Sequence, residues 1–201
     1  MSKLFLLNLM ELGVTVFRGP DEGVWAELAT HALPELLDRV QKISTFPAEP
    51  VRELADTLAS RAHADDFSPL ETEYVRLFIA GPGGIPAPLY ESCHQETESR
   101  TMGKSAQEMA ARLDEAGLVI SLESNEPPDH LTLELEYLFH LCAGEWSGEA
   151  EPEGRGARFA AEVMLPWVRR FRETLADADP DPVFRFTADI VVDLLEAVAR
   201  T

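Results

Sequence analysis

Three short stretches of this chain collect side chains capable of chemistry. In "EPPDHLTLELEYLF", residues 126–139, an Asp129-His130 pair stands behind two prolines at the entrance to a strongly helical run. Such a pair suits proton transfer or metal binding. At a helix start Asp129 also suits a plainer role, accepting backbone N–H groups where the helix dipole favours negative charge. Glu134 follows His130 by one turn and Tyr137 by two, so the three side chains can share a polar strip. All-helical metal-dependent phosphohydrolases join His and Asp in such a setting, but in the order His-Asp and with further ligands on other helices. Here the order is Asp-His, and His31, His63, His94 and His140 make no recognisable ligand pattern. A motif without its full geometric constellation does not carry the reaction, and no metal is expected.

Ser92, Cys93 and His94 are consecutive. A nucleophile and its base must meet in space, whereas neighbouring chain positions point apart, and Ser92 has no G-x-S-x-G elbow around it. "GPGG" at 81–84 follows a helix rather than a strand, lacks the G-K-[ST] of a phosphate loop and meets no lysine before Lys104, so it reads as a helix stop. His140 and Cys142 flank Leu141 and face different directions on a helix, as packing residues do. None of the three stretches supports catalysis, and the chain reads as a non-enzyme.

The elements that must hold these stretches are helices. The apolar run Leu4 to Met10 follows Lys3, but Asn8 and Glu11 interrupt it and no small-residue cleavage site follows. It predicts a buried first helix instead of a secretion signal. Val24, Trp25, Leu28 and Ala32 share one helical face with Asp21 placed to cap it, and Pro34 opens the next helix. Val51, Leu54, Ala55 and Leu58 form the stripe of another. "SPLETEYVRLFIAGPGG" sets Ser68, Pro69 and Glu71 in capping-box register, then a stripe of Leu70, Tyr74, Leu77 and Phe78 that by default is core.

The following "IPAPLYES" is too rich in proline to be helical before Tyr90. Further helices are predicted from Ser105 to a stop at Gly117, and from Asp129 with Leu131, Leu135, Leu138 and Cys142 on one stripe and Glu134 and Glu136 elsewhere. After the solvated loop "SGEAEPEGRG" a long helix follows that Pro166 kinks or splits, and the last helix comes behind "DPDP". The expectation is an all-α fold, one globular domain over residues 1–201 with eight or nine helices and Pro/Gly-rich connections near 81–88 and 124–129.

Thirty-six acidic residues against 17 basic ones give a net charge of −19, which repels nucleic-acid phosphates and attracts a basic peptide. Two cysteines without a CxxC pair fit a reducing cytoplasm. No apolar run approaches the roughly 20 residues needed to cross a bilayer. A monomer and a helix-exchanged dimer are both compatible with the sequence.

Two segments together resemble the paired signatures of the TorD/DmsD family, the cytoplasmic chaperones of molybdenum-containing oxidoreductases. In "EYVRLFIAGPGGIPAPLYES" the matching residues are Tyr74, Leu77, Phe78, Gly81, Pro82, Pro88, Tyr90, Glu91 and Ser92. In "EPPDHLTLELEYLFHL" they are Glu126, Pro127, Asp129, His130, Leu135 and Glu136. Many members carry Trp or another aromatic near the first motif, where this chain has Tyr74.

The resemblance implies a compact helical, TorD-like fold and a client: the precursor of a molybdoenzyme, recognised through its twin-arginine leader. It also implies help with insertion of molybdopterin guanine dinucleotide before export, with no permanently bound cofactor and at most transient contact with that molecule or a guanine nucleotide. A twin-arginine leader presents two guanidiniums followed by an apolar segment, so a receptor needs carboxylates beside an apolar groove. Tyr74, Leu77 and Phe78 are expected to offer apolar contact, and Glu126, Asp129 and Glu91 the acceptors. "EPPDH" then reads as a stiff hinge whose Asp129 and His130 line or shape the peptide site.

Overall fold

Helix α1 (Lys3–Phe17) is the axis of the fold, a computed structural model that describes residues 2–43, 45–64, 66–81, 83–95, 103–120, 126–148 and 154–201. Its buried side chains, among them Phe5, Leu9, Leu12 and Val16, fall on one broad face of the helix, and it packs against three others. Close approach is possible because residue 13 is glycine: a Cβ there would sit 3.0 Å from both Leu135 Cδ1 and Val191 Cγ2.

Eight further helices follow among the described residues: α2 (22–40), α3 (Glu49–Ala64), α4 (68–79), α5 (Glu91–His94), α6 (Lys104–Glu115), α7 (Leu131–Ser147), α8 (155–177) and α9 (Pro182–Val198). The all-α architecture holds, with nine helices and no strand among the described residues, only the isolated bridges Gly81–Gly84 and Tyr90–His130. α1 lies against α7 and α9, and α9 lies against α3 and α8. No helix among the described residues is long and apolar enough to cross a membrane.

The prolines act as their chemistry requires. Pro34 does not start a new helix but sits inside α2, directly after a π-helical turn over Leu28–Ala32. Pro166 sits in the same way inside α8, after a π-helical turn over Phe159–Met164. In both cases the residue before the proline reaches five residues back, Leu33 N–H to Leu28 O and Leu165 N–H to Ala160 O. The wider turn gives the pyrrolidine ring room and absorbs the missing N–H, so the chain bends without breaking.

Two local expectations are corrected. Ser68 is not the cap of a capping box: α4 begins at Ser68 itself, and Asp66 Oδ1 accepts both its amide at 3.2 Å and its hydroxyl at 2.7 Å. Carboxylate two residues upstream is the stronger acceptor and displaces the serine from the role. Val24 lies off the buried face of α2 and is exposed, while Asp21 caps as expected, accepting the amide of Val24 at 3.0 Å.

Candidate functional site

The two signature segments meet in space. Leu89 O accepts the amide of Leu131 at 2.8 Å and Asp129 O accepts that of Glu91 at 3.0 Å, a short antiparallel bridge centred on Tyr90 and His130. Their rings pack edge to face with centroids 5.2 Å apart. The Tyr90 hydroxyl then donates to Glu126 Oε2 at 2.7 Å, which ties the start of the "EPPDH" hinge to the end of "IPAPLYE". Proline-rich chain has few amides to lose to a sheet, so one bridge flanked by prolines is what such segments can form.

Asp129 does not cap the helix that follows it. Fully buried, it points across the bridge, and its Oδ2 accepts the amide of Ser92 at 3.0 Å in the first turn of α5. The cap of α7 is His130, whose Nδ1 accepts the amide of Thr132 at 3.3 Å and lies 2.8 Å from the Thr132 hydroxyl. An Nδ1 that accepts leaves the proton of a neutral ring on Nε2. Burial favours that neutral ring and lowers the His130 pKa, against the raising charges of Glu126 and Asp129.

Glu134, Tyr137 and His130 do not share a polar strip. Tyr137 packs on Phe159 with centroids 5.0 Å apart, and Glu134 is fully buried, its Oε2 accepting Trp167 Nε1–H at 2.9 Å. Burial, then the charge of Glu91, drive the Glu134 carboxyl well above the usual carboxylate range; Asp129 adds to this and the Trp167 bond opposes it. Glu91 is raised by burial as well. Three carboxyl groups from α5, the hinge and α7 thus converge under the bridge, with Ser92 Oγ, Asp129 Oδ1 and Glu134 Oε1 buried and without a hydrogen-bond partner among the described residues.

The aromatic stripe is core. Leu77 and Phe78 are buried, Phe78 in edge contact with Phe17 and Phe184, and the Tyr74 hydroxyl donates to Phe17 O at 3.0 Å. Their expected apolar contact with a peptide is therefore corrected: they support the site from beneath. Gly81 bends the chain where a Cβ would lie 2.9 Å from both Arg76 O and Gly84 O. Pro88 offers its carbonyl to His94 Nε2 at 2.7 Å, and the His94 ring stacks on Trp167. The His94 ring is thus committed to Pro88 and Trp167. Pro82 and residues 96–102, 121–125 and 149–153 lie outside the described residues, while Pro127 is half-buried in the hinge and its carbonyl accepts the amide of His130 at 3.0 Å.

Sequence reasoning placed Glu134 off the buried stripe, whereas it lies fully inside, and missed Trp167. The signal for the first was present, because Glu134 stands one helical turn from both Leu131 and Leu138 on the buried stripe.

The profile of the family described as nitrate reductase delta subunit matches residues 45–173, well over half of the chain and including both signature segments. The chain belongs to this family, the TorD/DmsD redox enzyme maturation proteins. Among relatives of the family, a "Chaperone protein TorD" of Photobacterium profundum is 26% identical over 200 residues, covering 96% of this chain and 86% of its own. The "Chlorate reductase assembly chaperone protein" of Ideonella dechloratans is 33% identical over 53% of this chain and 57% of its own. The "Tat proofreading chaperone DmsD" of Salmonella typhimurium is 23% identical over 90% and 82%. A crystal structure assigned to a redox enzyme maturation protein of Archaeoglobus fulgidus shares the TorD/DmsD fold with a TM-score of 0.52 at 21% identity, covering 97% of this chain and 91% of that one.

Proposed function

We propose that this protein is a maturation chaperone for a molybdenum-containing oxidoreductase, binding the twin-arginine leader of the client precursor at the bridge between Tyr90 and His130. The observation that carries the reading is that bridge: the two signature segments, far apart in sequence, close on one another through backbone bonds, a ring contact and the Tyr90–Glu126 bond. Glu126 and Glu91 are the half-buried carboxylates beside it, and the chain around them carries a net charge of −19. A guanidinium held by such groups gains charge-assisted hydrogen bonds of about 1.5–3 kcal/mol each. Asp129 and His130 serve by holding the shape, because both are buried.

Assistance with insertion of molybdopterin guanine dinucleotide belongs to the same proposal. The cofactor and guanine nucleotides carry phosphates, which the negative field disfavours, so the chain acts on the apoenzyme more than on the free cofactor. The name of the matching family raises a second reading, a permanent subunit of a reductase, which stable co-purification with the mature enzyme would favour. The site assignment is tested by Asp129→Asn and His130→Ala: both weaken leader binding while circular dichroism stays helical, and unchanged affinity in both rejects it.

A further inference from the structure

Beside the bridge, α1, α2 and α7 enclose an open groove of about 570 Å³ that contains none of the signature residues except Glu136. Its floor is apolar, with Leu12, Leu28 and Leu36 buried and Phe139 half-buried. A shallower groove of about 280 Å³ continues it along α2, sharing Leu28 and Glu35 and ending at the exposed Val24. The rim of the two carries Glu11, Glu27, Glu35 and Glu136 against a single lining arginine, Arg18. Arg18 is ion-paired to Glu136, Glu35 stands 3.9 Å from Arg39, and neither Glu11 nor Glu27 has an ion pair among the described residues.

The Arg18 end of the groove, at the end of α1, faces the side of the fold that holds the bridge. Phe17 there receives the Tyr74 hydroxyl, and the charge of Arg18 acts on His130. Arg18 and Glu136 are both well exposed, 63% and 45% for their side chains, so the pair is held in water and exchanges readily with a competing cation.

We propose that this groove takes the apolar segment of a leader peptide, and that Arg18 on Glu136 occupies the seat that a leader arginine takes, so that the protein competes with its own ligand. The inference rests on the leader-binding reading and adds where the segment runs and what guards it. A peptide with guanidiniums at one end and an apolar run behind matches the groove in both respects: carboxylates near the bridge, then leucines and Phe139. The internal pair keeps an empty apolar groove from admitting segments that bring no guanidinium, since such a segment leaves Arg18 in place over the mouth.

The test is fluorescence anisotropy of the full chain with two dye-labelled synthetic peptides. One carries two adjacent arginines followed by a leucine- and alanine-rich segment; the other ends after the arginines. Arg18→Ala is expected to bind the long peptide about fivefold more tightly and Glu136→Gln about tenfold more weakly, as for one competing and one accepting charge-assisted bond. The double variant is expected to bind no more tightly than Glu136→Gln alone, since Arg18 acts through Glu136. Phe139→Ala is expected to reduce the advantage of the long peptide over the short one. If the wild type binds and Asp129→Asn weakens it while Arg18→Ala changes nothing or weakens binding, the groove assignment is overturned and the chaperone reading stands. If no variant binds either peptide, both are overturned.

Discussion

The carboxylate of Asp129 accepts the amide of Ser92 at 3.0 Å, so a residue that precedes one helix in the chain caps a different helix in space. A four-residue helix such as α5 has little stability of its own and depends on that partner. Asp129→Asn keeps an acceptor for the amide and is expected to cost about 1 kcal/mol, whereas Asp129→Ala leaves the amide buried and unpaired and is expected to cost about 2–3 kcal/mol. Urea unfolding of the two variants checks the difference; equal losses would contradict the capping role.

Glu134 gives the fold a measurable dependence on pH. Its carboxyl is driven up chiefly by burial, so the folded chain keeps a proton that the unfolded chain has already released. Stability linked to it is therefore full below the ordinary carboxylate range and falls as pH rises from there toward the raised value. Glu134→Gln keeps an acceptor for Trp167 Nε1–H and removes the titration. The variant is expected to melt higher than the wild type at pH 8 and to lose that advantage at pH 4, a comparison that cancels Asp193, whose carboxyl is also raised, to about 6.

Much of the helical frame was legible because periodicity reports burial directly: Val51, Leu54, Ala55 and Leu58, or Leu131, Leu135, Leu138 and Cys142, are buried as their spacing requires. Punctuation was less legible. Pro34 stops a helix in isolation, but a π-helical turn ahead of it lets α2 continue, and nothing local in the sequence records a carbonyl five residues back. The site was legible as two motifs and not as a geometry. That Asp129 reaches Ser92, and that Phe78 lies beneath the site rather than on it, depends on how α4, α5 and α7 pack, which spacing within one segment does not encode.

Gly81 is required by space. The Cβ of alanine would meet two backbone carbonyls at 2.9 Å, and backbone cannot swing aside as a side chain can. Gly81→Ala is expected to cost about 1–3 kcal/mol, the range for overpacking. Thermal unfolding measures it; a variant as stable as the wild type would show that the turn is free to relax.

Tyr90→Phe separates the polar from the aromatic part of the bridge. The ring contact with His130 remains and the bond to Glu126 is lost. The expected loss of stability is about 0.5–1.5 kcal/mol, the net value of one hydrogen bond. Because the Glu126 carboxylate then loses the bond to Tyr90 that orients it, leader affinity is expected to fall beyond what stability accounts for, which binding measured well below the melting transition checks.

The central claim is recognition of a twin-arginine leader. Calorimetric titration of the intact protein with the twin-arginine leader peptides encoded in the same genome, each beside a version with both arginines changed to lysine, tests it most directly. Binding to one leader at micromolar or tighter affinity, lost in the lysine version because ammonium groups cannot make the forked bonds of guanidinium, is the predicted result. Equal affinity for both versions, or no binding to any leader, would contradict it.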